Sequence, residues 1–539
     1  MTSMTGGEAT VSGLVAHGID TVFGLPGAQI YGLFDAFHQA QLKVIGARHE
    51  QACGYMAYGY ARSSGKVGVF SVVPGPGVLN AGAALLTAFG SNEPVLCLTG
   101  QVPMAFLGKG RGHLHEMPDQ LATLKTFVKW ADRVEYPAGA PTAVSRAFQE
   151  MLSGRRGPAA LEMPWDVFTQ RAETGAAKMF DPFPAPAPDA DLIKNAAELV
   201  AASKTPMIFV GSGAIGAREE ILELAETIDA PVVAFRSGRG IVSNAHELGL
   251  TMASAYKLWP QTDLMIGIGT RMELPTMFRW PSRTVKSVRI DIDPVEMRRM
   301  TPDVAVVSDA KSGTRDLLAA VAKAGYRKTA GRRAAIRDAS AATLQEIQKV
   351  QPQMAYLNIL REVLPHNAIV TDELSQVGFA SWYGFPVYEP RTFLTSGYQG
   401  TLGSGFPTAL GAKVANPDRP VVAITGDGGF MFGVQELSTA VQFNIGVVTL
   451  VFNNNSYGNV RRDQRTRFDG RVVASDLVNP DFVKLAESFG VAASRVTAPD
   501  HFRPALEKAL AHSGPYLIAI EVPKDSETTP WPFIHPSRQ

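Results

Sequence analysis

The stretch 421–459, VVAITGDGGFMFGVQELSTAVQFNIGVVTLVFNNNSYGN, constrains this chain more than any other. An apolar, β-branched run from Val421 to Thr425 breaks at Gly426-Asp427-Gly428-Gly429. An amphipathic segment follows around Gln435 to Phe443, and a second apolar run, Val447 to Phe452, ends in three asparagines. Two buried parallel strands joined by a helix satisfy this pattern, because parallel strands need a crossover and read as continuous apolar runs. Ligands of such sheets bind at the carboxyl ends of the strands, where both polar clusters fall. Gly426, Gly428 and Gly429 let the backbone turn sharply and present amides to a phosphate. Asp427 offers a carboxylate and Asn454 an amide oxygen, 454 − 427 = 27 residues later but at the same sheet edge. Magnesium takes few protein oxygens and completes its octahedron with phosphate and water. The stretch therefore predicts a diphosphate clamped through Mg²⁺.

At 539 residues the chain exceeds one hydrophobic core. Strand-like runs at Thr21 to Phe23, Val44-Ile45, Val67 to Val73, Val95 to Leu98 and Ala159 to Met163 alternate with helical text, punctuated by GLPG (Gly24 to Gly27) and PGPG (Pro74 to Gly77). The Pro-rich Asp181 to Asp191 reads as a linker. Further strands are expected at Met207 to Val210, Pro231 to Phe235, Leu264 to Ile268 and Val288 to Ile292, and Lys328 to Val350 as a helical connection. The expected fold is α/β: three consecutive doubly wound parallel-sheet domains, at about 1–175, 190–328 and 352–539. No internal repeat is visible.

Lys+Arg 51 against Asp+Glu 50 gives a net charge of +1, which favours neither nucleic acid nor an anionic membrane as partner. Cys53 and Cys97 are the only cysteines, so no disulfide framework is implied and a reducing compartment is expected. MTSMTGGEATV lacks the charge-then-apolar pattern of a leader, and no apolar run reaches the ~18 residues of a membrane span. A cytoplasmic protein is the expectation.

GDG followed at this spacing by Asn453-Asn454 resembles the signature of the thiamine diphosphate (ThDP) enzymes, and the resemblance covers nearly the whole chain. RHEQACGYMAYGYARSSGKVGV, Arg48 to Val69, is similar to the segment carrying that family's catalytic glutamate, here Glu50. SGYQGTLGSGFPTALGAKVA, Ser396 to Ala415, resembles the stretch that cradles the aminopyrimidine. The resemblance implies pyrimidine-binding, central and diphosphate-binding domains in that order. It implies Mg²⁺ held by Asp427, Asn454 and the Ser456 carbonyl, and a diphosphate at Gly426, Gly428 and Gly429. Gly400 would offer a carbonyl and Leu402 an amide to the pyrimidine, with the Leu402 side chain beneath the cofactor, and Glu50 would bond its ring nitrogen. The family's active site lies between chains, which implies a homodimer or a dimer of dimers (a homotetramer).

The subgroup most similar is the acetohydroxyacid (acetolactate) synthases, with benzaldehyde lyase and the 2-hydroxyacyl-CoA lyases nearby. Three specificity positions depart from the synthases. Pro275 stands in place of an arginine, Asp463 in place of a tryptophan and His115 in place of a glutamine. The expected activity is decarboxylation of a 2-oxo acid with carboligation, acetolactate synthase-like and outside the anabolic role. The alternatives are a lyase acting on acyloins or 2-hydroxyacyl-CoA thioesters, and a catalytically silent ThDP-fold scaffold. His115 is expected to be catalytic and face the substrate, with Ala28, Gln29, His113, Arg461 and Arg462 lining the pocket. Arg461 and Arg462 serve equally well as interchain ion pairs, and His113 as a loop residue. Gly211, Gly213 and Gly216 leave three occupants open for the central domain: FAD, an ADP or CoA moiety, or none, the flavin not being favoured. PWPFIHP, Pro530 to Pro536, reads either as a closing tail or as a docked terminus.

Overall fold

The computed structural model describes residues 1–278, 280 and 285–536, so 537–539 of the third expected domain lie outside the described residues. The strands of the first unit are β1 (Thr2–Thr5), β2 (Thr21–Gly24), β3 (Lys43–Gly46), β4 (Gly68–Val72), β5 (Val95–Gln101), β6 (Trp130–Arg133), β7 (Ala159–Pro164) and β8 (Arg171–Thr174). The central unit holds β9 (Pro206–Val210), β10 (Val232–Ala234), β11 (Gly249–Leu250), β12 (Leu264–Ile268), β13 (Lys286–Asp291) and β14 (Val304–Val307). The third holds β15 (Ile369–Thr371), β16 (Phe393–Leu394), β17 (Val421–Gly426), β18 (Val448–Asn453), β19 (Ala492–Val496) and β20 (Tyr516–Glu521). They form three six-stranded sheets, parallel throughout and flanked by helices; β1 and β8 pair antiparallel as a separate ribbon. The α/β architecture is the one the alternating text predicts.

Central strands such as β5 and β12 are buried at every residue, the two-sided burial that makes a parallel strand a continuous apolar run. Most of the strands that pattern reading overlooks are short or sit at edges, the exception being the buried six-residue β20 between β18 and β19. β11 and β16 are two residues each, and β6 and β19 carry charge. Within each unit, numbering strands 1 to 6, the sheet β2–β7 runs 2-1-3-4-6-5 and the sheet β15–β20 runs the same way. The central sheet runs 3-2-1-4-5-6. The outer units thus repeat a backbone topology with no visible sequence repeat. Residues 181–189 carry no regular structure, the next helix starting at Ala190 under an Asp189 cap, and the helical connection spans Arg332–Ile347.

The third unit is the hub. One apolar cluster runs into it from the first unit (Tyr55, Met56 and Phe70 with Phe406, Leu410 and Phe430), and another from the central unit (Phe209 and Trp259 with Trp382 and Tyr383). The helices Glu50–Ser64 and Gly405–Ala415 meet backbone to backbone. A Cβ on Gly59 would lie 2.0 Å from the Thr408 carbonyl oxygen, and one on Gly411 would lie 1.9 Å from that of Met56. Only glycine permits that approach. Arg62 then joins all three units, pairing with Glu93 at 2.6 Å and donating to the Ser237 carbonyl at 2.7 Å, while Arg391 donates to the Arg62 carbonyl at 3.0 Å.

Candidate active site

In a 2-1-3-4-6-5 sheet the order reverses between the first and third strands, and ligands bind in the crevice outside that point. In the third unit this is the gap between β15 and β17, where a cavity of about 190 Å³ is lined by Leu374 to Gln376, Leu402, Gly426 to Gly429, Asn454, Ser456 and Glu527. Asp427 is 2% exposed; its Oδ1 accepts from the Gly428 amide at 2.9 Å, and its Oδ2 from the Ser456 amide at 3.2 Å and from Asn479 Nδ2 at 2.7 Å. The Ser456 hydroxyl donates to Asn454 Oδ1 at 2.8 Å. The structure therefore brings Asp427, Asn454 and Ser456 together, as the 27-residue spacing requires.

These residues fit a magnesium diphosphate. The donors are hard oxygens on two strand ends. The turn is a cradle that any side chain would fill: a Cβ on Gly428 would lie 2.5 Å from the Tyr457 ring, and one on Gly429 2.5 Å from the Glu373 carboxyl carbon. Gln376, the first residue of the helix Gln376–Gly384, points a buried Oε1 with no hydrogen-bond partner among the described residues and lines the same cavity. Gly400 takes a left-handed φ of 58°, its Cβ position facing Leu374. Gln376, Asn479, Glu373 and Glu527 are absent from the sequence reading. Gln376, Glu373 and Glu527 follow the ends of β15 and β20, two strands the sequence reading did not place, so the carboxyl-end rule had no strand end to point from.

Glu50 opens the helix Glu50–Ser64, but the capping role belongs to its neighbour. His49 Nδ1 accepts from the Gln51 amide at 3.1 Å, which leaves the Glu50 carboxylate to accept from Asn80 Nδ2 at 3.0 Å. Glu50 does not line the Asp427 cavity. Gln29 and His115 are brought together at the switch point of the first sheet. Gln29 Nε2 donates to the Leu114 carbonyl at 2.5 Å, which turns its Oε1 to His115 Nδ1 at 2.9 Å. Ala28 is half-buried beside them, and the His113 ring lies tilted against Phe106, their centroids 4.1 Å apart. Arg461 is held by Asp476 at 2.9 Å and Asp525 at 2.5 Å, and Arg462 by Asp463 and Thr529 at 2.7 and 2.8 Å. Both arginines tie the helix Gly458–Arg467 to the last residues of the chain. Trp531 completes that tie, donating to Asn459 at 2.6 Å, and Ile534 is buried.

A second cavity, about 370 Å³, lies at the switch point of the central sheet between β9 and β12. Gly211, Gly213 and Gly216 line it with Gly269, Arg155 and Asp291. Burial pushes the Asp291 carboxyl up to about 6. A Cβ on Gly211 would lie 2.5 Å from the Gly269 carbonyl, so the glycine loop and the strand end pack backbone to backbone. Arg271 stacks over Tyr398 at 4.7 Å, joining this cavity to the segment ahead of Gly400.

Beneath the first cavity, burial pushes Asp372 up to about 7 and Glu373 up to about 8. Trp382 Nε1 donates to Asp372 at 2.5 Å, and the Gly403 amide to Glu373. A carboxyl whose folded pKa is raised binds more protons folded than unfolded, so its contribution is full below the unfolded value near 4 and is lost as pH rises through the folded value. The melting temperature of the protein without ThDP and Mg²⁺ is expected to fall from pH 5 to pH 8, and Glu373→Gln to flatten the fall. A melting temperature flat or rising over that range contradicts the assignment.

The three units match three family descriptions in order: "Thiamine pyrophosphate enzyme, N-terminal TPP binding domain" over residues 4–123, the central domain over 193–318, and the "C-terminal TPP binding domain" over 374–520. A probable acetolactate synthase large subunit of Methanocaldococcus jannaschii is 35% identical across 96% of this chain and 92% of its own length. The acetolactate synthase isozyme 3 large subunit of Escherichia coli is 30% identical across 99% and 97%, and a probable 2-ketoarginine decarboxylase of Pseudomonas aeruginosa 32% identical across 96% and 94%. Among the described residues no helix is long and apolar enough to cross a membrane. Carrying the Asp427–Asn454 spacing, the glycine cradle and all three domains, the chain belongs to the thiamine pyrophosphate-dependent enzymes, as an acetolactate synthase-like member.

Proposed function

We propose that this enzyme uses ThDP and Mg²⁺ to decarboxylate a 2-oxo acid and passes the acyl fragment to an aldehyde, ketone or proton. The observation that carries the reading is the convergence of Asp427, Asn454 and Ser456 on one cavity beside the Gly426–Gly429 turn. When bound, ThDP supplies a carbon nucleophile and an electron sink. Asp427, Asn454 and the Ser456 carbonyl hold the ion, the turn amides bind the diphosphate, and Gly400 and Leu402 orient the pyrimidine. Glu50 holds the proton at the pyrimidine ring nitrogen. His115, fixed by Gln29, offers its Nε2 to the substrate.

The substrate is read apart from anabolic acetolactate synthesis, since Pro275, Asp463 and His115 replace that subgroup's side chains. Relatives named for acetolactate synthesis and for 2-ketoarginine decarboxylation match over the same length. The same departures support a second reading, a lyase that splits acyloins or 2-hydroxyacyl-CoA thioesters. The central cavity stays open to an ADP or CoA moiety, to FAD, which is not favoured, or to no occupant. A yellow purified protein selects the flavin.

The active unit in this reading is a homodimer or a dimer of dimers, with Glu50 and the metal residues of one site supplied by different copies. Two exposed apolar faces support it: Leu79 and Leu86 on the helix Pro76–Ser91, Leu79 being next to the Glu50 partner Asn80, and Phe432 and Val441 after the Gly426–Gly429 turn, Leu79 and Phe432 being 55% and 53% exposed. The buried thiols of Cys53 and Cys97 suit a cytoplasmic location.

The deciding experiment incubates 2-oxo acids, acyloins and 2-hydroxyacyl-CoAs with the enzyme, ThDP and Mg²⁺, following CO₂ and aldehyde with Glu50→Gln alongside. Glu50-dependent CO₂ release is expected. Aldehyde without CO₂ selects the lyase, and turnover of nothing in the panel supports the silent scaffold.

A further inference from the structure

We propose that Glu527, on the segment after β20, is a positioning residue for the metal site: it turns the Asn454 amide so that Oδ1 faces the ion. The inference rests on the reading of Asp427, Asn454 and Ser456 as metal ligands. An asparagine side chain ligates a hard cation only through its oxygen, and its two ends are near in size, so the protein must specify which end faces the ion.

The Asn454 amide has a hydrogen-bond partner at each end. Glu527 Oε2 accepts from Asn454 Nδ2 at 2.7 Å, and the Ser456 hydroxyl donates to Oδ1 at 2.8 Å. A flipped amide would set its oxygen against the Glu527 carboxylate, which only accepts, whereas the Ser456 hydroxyl can turn to serve either end, so the orientation is fixed from the Glu527 side. The space for this amide is also reserved: a Cβ on Gly458 would lie 2.7 Å from Asn454 Nδ2.

Glu527 is held in turn by the segment that bears it. The Thr528 amide donates to the Gln351 carbonyl at 2.9 Å, and Gln353 Nε2 to the Thr528 carbonyl at 2.7 Å. Asp525 pairs with Arg461 and Arg465, and Thr529 accepts from Arg462. The segment 525–529 thereby reaches Asn454, which would hold the ion, through one hydrogen bond. Partners that orient metal ligands from behind typically contribute 10–100-fold to metal affinity.

The test measures Mn²⁺ binding to the full-length protein with ThDP by electron paramagnetic resonance, together with melting of the metal-free protein. Glu527→Ala is expected to weaken Mn²⁺ about 10–100-fold while the metal-free protein melts as the wild type does. Glu527→Gln, which keeps an acceptor oxygen for Nδ2, is expected to bind Mn²⁺ within a few-fold of wild type. Wild-type affinity in Glu527→Ala overturns the proposal. So does an equal loss in Glu527→Gln, because the carboxylate itself would then be the ligand. Asp427→Ala separates the two readings: if it keeps Mn²⁺, the metal site fails and Glu527 with it.

Discussion

Glu50→Gln is expected to leave the protein folded, with wild-type melting, and to lower turnover about 10²–10⁴-fold, the range that a positioned proton-transfer group contributes. The fold is untouched because the helix cap belongs to His49 and the carboxylate has a single neutral partner, Asn80, which the glutamine amide can also engage. Steady-state kinetics with a saturating cofactor check it, and near-normal turnover sinks the assignment of Glu50. The same variant tests where the site lies. Glu50→Gln and Asp427→Ala are each expected to be inactive alone. Mixed by co-expression, hybrid dimers would regain one intact site each, about a quarter of wild-type sites for random pairing, if the two residues of a site come from different copies. No recovery places both in one chain.

Gly411→Ala is expected to lower the melting temperature by about 5–10 °C. The added carbon would sit 1.9 Å from the Met56 carbonyl oxygen, and a Cβ has no rotamer by which to escape. The helices Glu50–Ser64 and Gly405–Ala415 would have to separate, an overpacking cost of about 1–3 kcal/mol or more, worth about 2–4 °C per kcal/mol in a domain of this size. Those helices follow the Glu50 and Leu402 segments, so ThDP binding should weaken as well. Gly175→Ala is the control, since its Cβ would meet nothing within 4 Å. Equal melting of the two variants would show that the helix contact yields without cost.

Much of the site was legible because its residues are local. Gly426, Asp427, Gly428 and Gly429 occupy one turn, and Asn454 and Ser456 the next strand's end, so strand–helix–strand text brings them to one edge. Gln29 and His115 were legible singly and not as a pair, since their bond depends on the loop 104–117 folding back over the first sheet. For Arg461 and Arg462 the sequence leaves substrate binding and ion pairing equally open. Only the positions of Asp476, Asp525 and Thr529 show them tying the chain's end to the helix Gly458–Arg467.

The sequence by itself determined three α/β units, the family and the turn and strand-end residues that converge on one cavity, because buried parallel strands and tight glycine turns leave periodic, local traces. Tertiary structure alone decided the shared 2-1-3-4-6-5 order of the outer sheets, the glycine contact between their helices and the reach of Glu527 to Asn454. Each depends on backbone approach or on partners far apart in the chain. Adjacency at 2 to 3 Å across 73 or more residues has no periodicity to read; it exists only once the units have packed.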